Sequence, residues 1–188
     1  AHKWLSVPMG AGLFLTRHQG ILRKTFSIAT PYMPPDAAEI DAIDPYTHSI
    51  QWSRRFIGLK VFLSLAVAGW EGYRSAIQRQ IALGDLLREK LKSSGWLVVN
   101  DTVLPLVCFV DGENRNGKSL NFLNQIQAGV LNSGKAWISI VQLEENLPAL
   151  RACINNFRTE REDLFFLVKI LNQIRKKITF KSNGKIDG

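Results

Sequence analysis

The feature that most constrains this chain is the order of short apolar runs and amphipathic stretches over its second half. Two β-like runs, WLVVN (96–100) and LPLVCFVD (104–111), stand a few residues apart, and two more come later at AWISIVQL (136–143) and LRACINNF (150–157). Between them, Leu120 to Leu131 carries apolar residues at helical spacing, and 160–177 keeps Leu164, Leu167, Val168 and Leu171 on one face with charges on the other. A βαββα order with hairpin-like spacing favours antiparallel pairing, because parallel neighbours need a crossover of about a dozen residues or more. The expectation is a small α+β domain with a mainly antiparallel sheet.

Upstream, helical spacing runs from Phe56 to Val67, AGWEG supplies a break, and a second helix is expected from Tyr73 to Leu91, ended by KSSG. The segment 25–53 carries four of the chain's seven prolines and no sustained period, which marks a long loop of the kind that is functional or mobile. Residues 4–16, WLSVPMGAGLFLT, are apolar but broken by Pro8, Gly10 and Gly12, and suggest two short strands around a turn.

With 188 residues and 46% apolar content, the chain can bury a sizeable core. Cys108 and Cys153 both lie in apolar runs without a C-x-x-C partner, as small buried hydrophobes in a reducing compartment do. The longest apolar stretch, VFLSLAVAGW, is far shorter than the roughly 20 residues that span a bilayer. These features point to a cytoplasmic protein that does not engage a membrane. The net charge of +8 raises nucleic acid as a partner, but the basic residues are scattered beside acids and lack interleaved aromatic stacking platforms. Solvated helix faces account for them, and a non-catalytic basic interaction module stays open as an alternative.

GENRNGKS, Gly112 to Ser119, matches the phosphate-binding pattern G-x-x-x-x-G-K-[ST] and lies between a strand and a helix. A nucleotide-binding loop of this type also needs a parallel sheet and a second strand ending in a magnesium-binding Asp. Neither strand candidate after Lys118 ends in Asp. The competing reading is a polar turn in which Asn116 and Gly117 supply the bend and Ser119 caps the helix.

A second candidate stands at the other end. His2 and Lys3 precede an apolar segment, and a lysine amine in a dry environment loses its proton near neutral pH and becomes a nucleophile toward carbonyl carbons. Lys3, Trp4, Leu5, Met9, Ala11, Phe14 and Arg17 fill every position of the cofactor-lysine signature of the pyridoxal-phosphate-dependent group II amino-acid decarboxylases, which the segment resembles. The resemblance continues through TFSIATPYMPP, where that family has its mobile catalytic loop, SRRFIGLK (53–60) and LPLVCF, and ends near Lys177. LRACINNFRT resembles the family's L-R-x-x-x-x-x-R-T region and is one residue longer.

The resemblance implies the α/β fold of type I pyridoxal-phosphate enzymes. Residues 1–60 would be the end of the large domain, with the catalytic loop at about 25–53, and 61–188 the small α+β domain. It implies decarboxylation of an L-amino acid, aromatic or related, with pyridoxal 5′-phosphate held on Lys3. His2 would help hold the cofactor phosphate. Tyr32 would return a proton to Cα, with Tyr46 its rival in the same loop. Ser53 would reach the cofactor site of a second protomer in a homodimer, or cap the next helix. Arg158 would steer the substrate carboxylate or pin the interdomain region, or serve as a salt-bridge partner. The family's remaining cofactor ligands lie upstream of the lysine, so a C-terminal part is expected here, one that holds the cofactor weakly by itself.

Overall fold

The computed structural model describes residues 2–28, 43–114 and 116–183. The chain divides into two compact units, Ala1–Gly69 and Trp70–Gly188.

The first unit contains α1 (Ile21–Phe26), a 3-10 turn (Pro45–His48) and the beginning of α2 (Gly58–Ser93). The two strands expected over 4–16 do not form. Ser6 and Gly10 take positive φ (50° and 94°), and Pro8 between them has no N–H to donate to a ladder. Only Val7 and Ala11 of this stretch are buried, while Met9, Leu13, Phe14 and Leu15 stay exposed. The segment 25–53 is not wholly irregular, since α1 overlaps its start and the 3-10 turn occupies its end. That turn is fixed by the buried Thr47, whose hydroxyl donates to Asp44 O at 2.7 Å, and by Tyr46 packed 5.7 Å from the ring of Trp52.

Helical dihedrals in α2 are interrupted at Gly69 (φ 63°, ψ 177°), inside the AGWEG break, at a conformation that favours glycine. From Trp70 onward the chain is a helix-backed sheet. Strands β1 (Trp96–Val98), β2 (Leu106–Asp111), β3 (Ser139–Gln142) and β4 (Pro148–Cys153) are ordered β1-β2-β4-β3, and every pair is antiparallel. Helix α3 (Leu120–Asn132) links β2 to β3, and α4 (Arg161–Asn183) comes after β4. This is the small α+β domain with an antiparallel sheet that the spacing predicts.

Period-2 alternation sorts the strand residues. Val107 and Phe109 of β2, with Leu150 and Ala152 of β4, join the core formed with Leu83, Leu87 and Leu91 of α2, Phe122, Leu123, Ile126 and Val130 of α3, and Leu164, Leu167, Val168 and Leu171 of α4. Each Val, Leu, Ile or Phe side chain among them contributes about 1.5–3 kcal/mol when fully buried. Cys108, Val110 and Ala149 form a second, smaller cluster on the other face.

Arg88 ties the β1–β2 connection to α2, its guanidinium donating to the carbonyls of Thr102, Leu104 and Leu106 while pairing with Asp85 at 2.8 Å. Beside it, Gly84 lets Pro105 come close, because a Cβ there would lie 2.8 Å from Pro105 Cα.

Candidate active site

Lys3 sits in a turn over residues 2–5, closed by Ser6 N–H donating to Lys3 O at 3.1 Å. His2 and Lys3 are both exposed, whereas Trp4 and Leu5 are half-buried. Among the described residues the Lys3 amine makes no hydrogen bond or ion pair. It is a primary amine held out on a fixed backbone, with an imidazole at the preceding position. That donor set suits a group bearing an aldehyde and a phosphate.

The segment after Lys3 is anchored in two ways. Val7 and Ala11 are buried at 2% and 5% exposure, and Lys60 Nζ donates to Met9 O at 3.0 Å. Lys60 ends the SRRFIGLK segment, so this segment is joined to the lysine signature by a direct bond. Sequence reasoning assigns Lys60 no role of its own, although its place at the end of SRRFIGLK is a usable signal.

The other candidates are placed unevenly. Tyr32 lies outside the described residues. Its rival Tyr46 is half-buried and its ring packs against Trp52 at a tilt of 46°. Ser53 is exposed and five positions before Gly58, where α2 begins, so it does not cap that helix. Arg158 belongs to the other unit, in a turn where its N–H donates to Asn156 Oδ1 at 2.9 Å and its guanidinium lies 5.6 Å from the Phe157 ring centroid. Among the described residues it makes no ion pair, so the salt-bridge reading fails there, and Arg79 is the residue that reaches Glu160 at 3.6 Å. The structure therefore brings His2 and Lys3 together on one turn, and joins Lys60 to the segment behind them.

Among the described residues of the Gly112–Ser119 loop, five backbone amides are already engaged. Gly112 N–H donates to Gly95 O, Glu113 N–H to Asp111 Oδ1, Asn116 N–H to Asn114 Oδ1, Gly117 N–H to Asn114 O and Ser119 N–H to Asn116 O. Phosphate would have to displace these bonds. Ser119 Oγ accepts from Phe122 N–H at 3.3 Å as the N-cap of α3, and β2 is antiparallel to both neighbours. The loop is a capping turn, and its lysine, Lys118, is exposed.

Residues 1–111 match the profile of the pyridoxal-dependent decarboxylase conserved domain. An aromatic-L-amino-acid decarboxylase of Bacillus atrophaeus is 29% identical over 183 residues, 95% of this chain and 38% of the relative. Tryptophan decarboxylase 2 of Oryza sativa subsp. japonica is 26% identical over 187 residues, 96% of this chain and 37% of the relative. The chain thus spans under two-fifths of the length of these relatives. Among solved structures, an Oryza sativa TDC with PLP and tryptamine superposes with TM-score 0.73 at 15% identity, over 83% of this chain and 33% of its own. Mouse CSAD in apo form does so with TM-score 0.69 at 19% identity, over 84% and 34%. The fold is that of the C-terminal portion of these enzymes, and the lysine-bearing turn lies within the stretch that matches the profile. The chain belongs to the pyridoxal-dependent decarboxylase family.

Proposed function

We propose that the complete protein removes CO2 from an L-amino acid, aromatic or closely related, and releases the amine, using pyridoxal 5′-phosphate held on Lys3. The observation that carries this reading is Lys3 itself, an amine unengaged among the described residues, on a closed turn within the family-matched stretch. The names of the relatives from Bacillus and Oryza support an aromatic substrate.

When bound, the cofactor supplies an electron sink for the pair left on Cα as the bond to the carboxylate breaks. Lys3 would hold the aldehyde carbon of the cofactor through its side-chain amine. His2, one position away, holds the phosphate. Tyr32 donates its phenolic proton to Cα and recovers one from solvent, a transfer that needs a closed, water-poor site for a group of pKa near 10. A proton donor on Cα is also why we choose the amine as product, although some relatives carry the names of aldehyde synthases. Arg158 takes the substrate carboxylate through its guanidinium.

Ser53 reaches the cofactor site of a second protomer, so the working unit is a homodimer. We place the protein in the cytoplasm, where Cys108 and Cys153 remain unpaired thiols. Among the described residues no helix is long and apolar enough to cross a membrane.

The deciding experiment is CO2 release by the complete protein with tryptophan, tyrosine or 3,4-dihydroxyphenylalanine as substrate. Lys3→Ala should abolish it, and retained release in that variant would overturn the assignment. Tyr32→Phe should keep the cofactor and lose amine formation.

A further inference from the structure

Helix α4 presents Phe165, Lys169, Asn172, Gln173 and Lys176 along one side, at intervals of three and four residues that bring them into line. With Lys90 of α2 they line an open cleft of about 530 Å³. The Lys90 amine stands 5.3 Å from the centroid of the Phe165 ring, so its cation crosses from α2 to α4 at one end of the cleft. Asn172 Oδ1 is taken by the Trp96 indole N–H at 2.8 Å, which leaves its amide N–H₂ as the free group. Val168, also lining the cleft, is nearly buried.

The chemistry of this lining is one-sided. No carboxylate contributes to it, and among the described residues none of its three lysines makes an ion pair. Three arginines of the same unit are each paired, Arg79 with Glu160, Arg88 with Asp85 and Arg175 with Asp111, whereas the cleft gathers three lysines without a carboxylate. Lysine stems also lie along apolar surface while their amines stay in water, which suits a cleft with an aromatic wall and an aliphatic floor.

We propose that this cleft is a docking site for an acidic, amphipathic segment of a partner protein, with its carboxylates on Lys90, Lys169 and Lys176 and its apolar side chains on Phe165 and Val168. A groove between two helices with an apolar floor and a charged rim is the form that takes an amphipathic helix. A lipid surface fits less well, because the apolar part here is a floor and not a protruding face. Single-stranded nucleic acid fits less well because one aromatic ring is no stacking series. The proposal does not depend on Lys3 chemistry, and its test needs neither cofactor turnover nor substrate.

The probe is a fluorescent helical peptide of glutamates with leucine at every third or fourth position, titrated into the complete protein and followed by anisotropy. Binding should weaken with added salt. It should weaken about tenfold or more in K90Q/K169Q/K176Q and in F165A, with little change in K24Q/K118Q/K135Q, which removes three lysines outside the cleft. Should the triple cleft variant fail to fold, the single K169E variant gives the same comparison. Absence of binding at low salt, equal loss in both triple variants, or equal binding of a peptide with glutamine in place of glutamate would each overturn the proposal. So would anionic phosphatidylserine vesicles or poly-uridylate binding at the cleft while the peptide does not.

Discussion

Arg175 of α4 holds Asp111, the last residue of β2, in an ion pair of 3.2 Å between Nη1 and Oδ1, and the side chain of Asp111 is 0% exposed. The same guanidinium donates to Ser94 O at 2.8 Å, reaches Glu113 at 3.4 Å and lies 4.9 Å from the centroid of the Trp96 ring. Trp96 in turn packs edge-on against Phe109 at 5.5 Å. One cation therefore joins α4, the end of α2 and two strands. Its carboxylate partner has a second oxygen, Oδ2, buried without a hydrogen bond.

Removing one member of such a pair leaves an uncompensated charge out of water, which costs about 3–5 kcal/mol. Arg175→Met should therefore lower stability by about that amount in urea unfolding. Replacing both, as Asp111→Leu with Arg175→Met, should recover most of the loss, because the desolvation cost goes with the charges. A double variant as unstable as the single one would show that the pair contributes through geometry alone.

This pair also marks where the sequence stops being legible. Asp111 and Arg175 are 64 positions apart, and no local pattern links a strand-terminal acid to a helical arginine at that distance. The strands and helices after Trp70 are readable because each repeats at period 2 or 3.6, and Gly69 is foreseeable as a break because AGWEG interrupts the helical spacing. The stretch 4–16 misleads, since apolar content alone does not make a strand when Pro8 and two positive-φ residues interrupt it. Ser53 misleads as a cap because the helix starts five residues later, at Gly58. The proposal for Lys3 rests on the spacing of its whole signature. Taken by itself, an exposed lysine on a turn is an ordinary surface residue.

The contact between α2 and the β1–β2 connection makes a second prediction. A glycine inside a helix normally gains up to about 1 kcal/mol when replaced by alanine. At Gly84 the added methyl would meet the backbone of Pro105 at 2.8 Å, a segment held by three Arg88 bonds, so Gly84→Ala should instead cost about 1–3 kcal/mol. Gly129→Ala is the matched control. Its Cβ would approach the side chain of Ile174 at 2.9 Å, a group that can change rotamer, and the loss of thermal stability should be smaller. Equal melting temperatures for the two variants would count against the clamp.

The capping turn at Gly112–Ser119 predicts opposite behaviour for neighbouring residues. Ser119→Ala removes the acceptor for Phe122 N–H and should cost about 1 kcal/mol, while Lys118→Ala, at an exposed position, should change stability by less than about 0.5 kcal/mol. Calorimetric titration with ATP and magnesium should give no heat of specific binding to either. Tight binding lost in Lys118→Ala would restore the nucleotide reading.

Cys108 supplies a pH signature. It is 3% exposed, and burial raises its thiol above the ordinary value of 9.0, with the facing Arg151 pulling it down by a smaller amount. Well below pH 9.0 the thiol is protonated in both folded and unfolded chains, so its contribution to stability is complete. As pH rises past that value the unfolded chain ionises first, the folded chain holds more protons, and stability falls until the raised folded value is passed. Cys108→Ala should remove this part of the alkaline slope in urea unfolding measured on either side of pH 9.0, while Cys153→Ala should keep it. The two thiols should also separate chemically. Exposed Cys153 should react with a disulfide reagent at once, and in Cys153→Ala the remaining thiol should react only as fast as the sheet opens. Rapid labelling of that variant would mean that the outer face of the sheet, where Cys108 packs with Val110 and Ala149, is open to solvent.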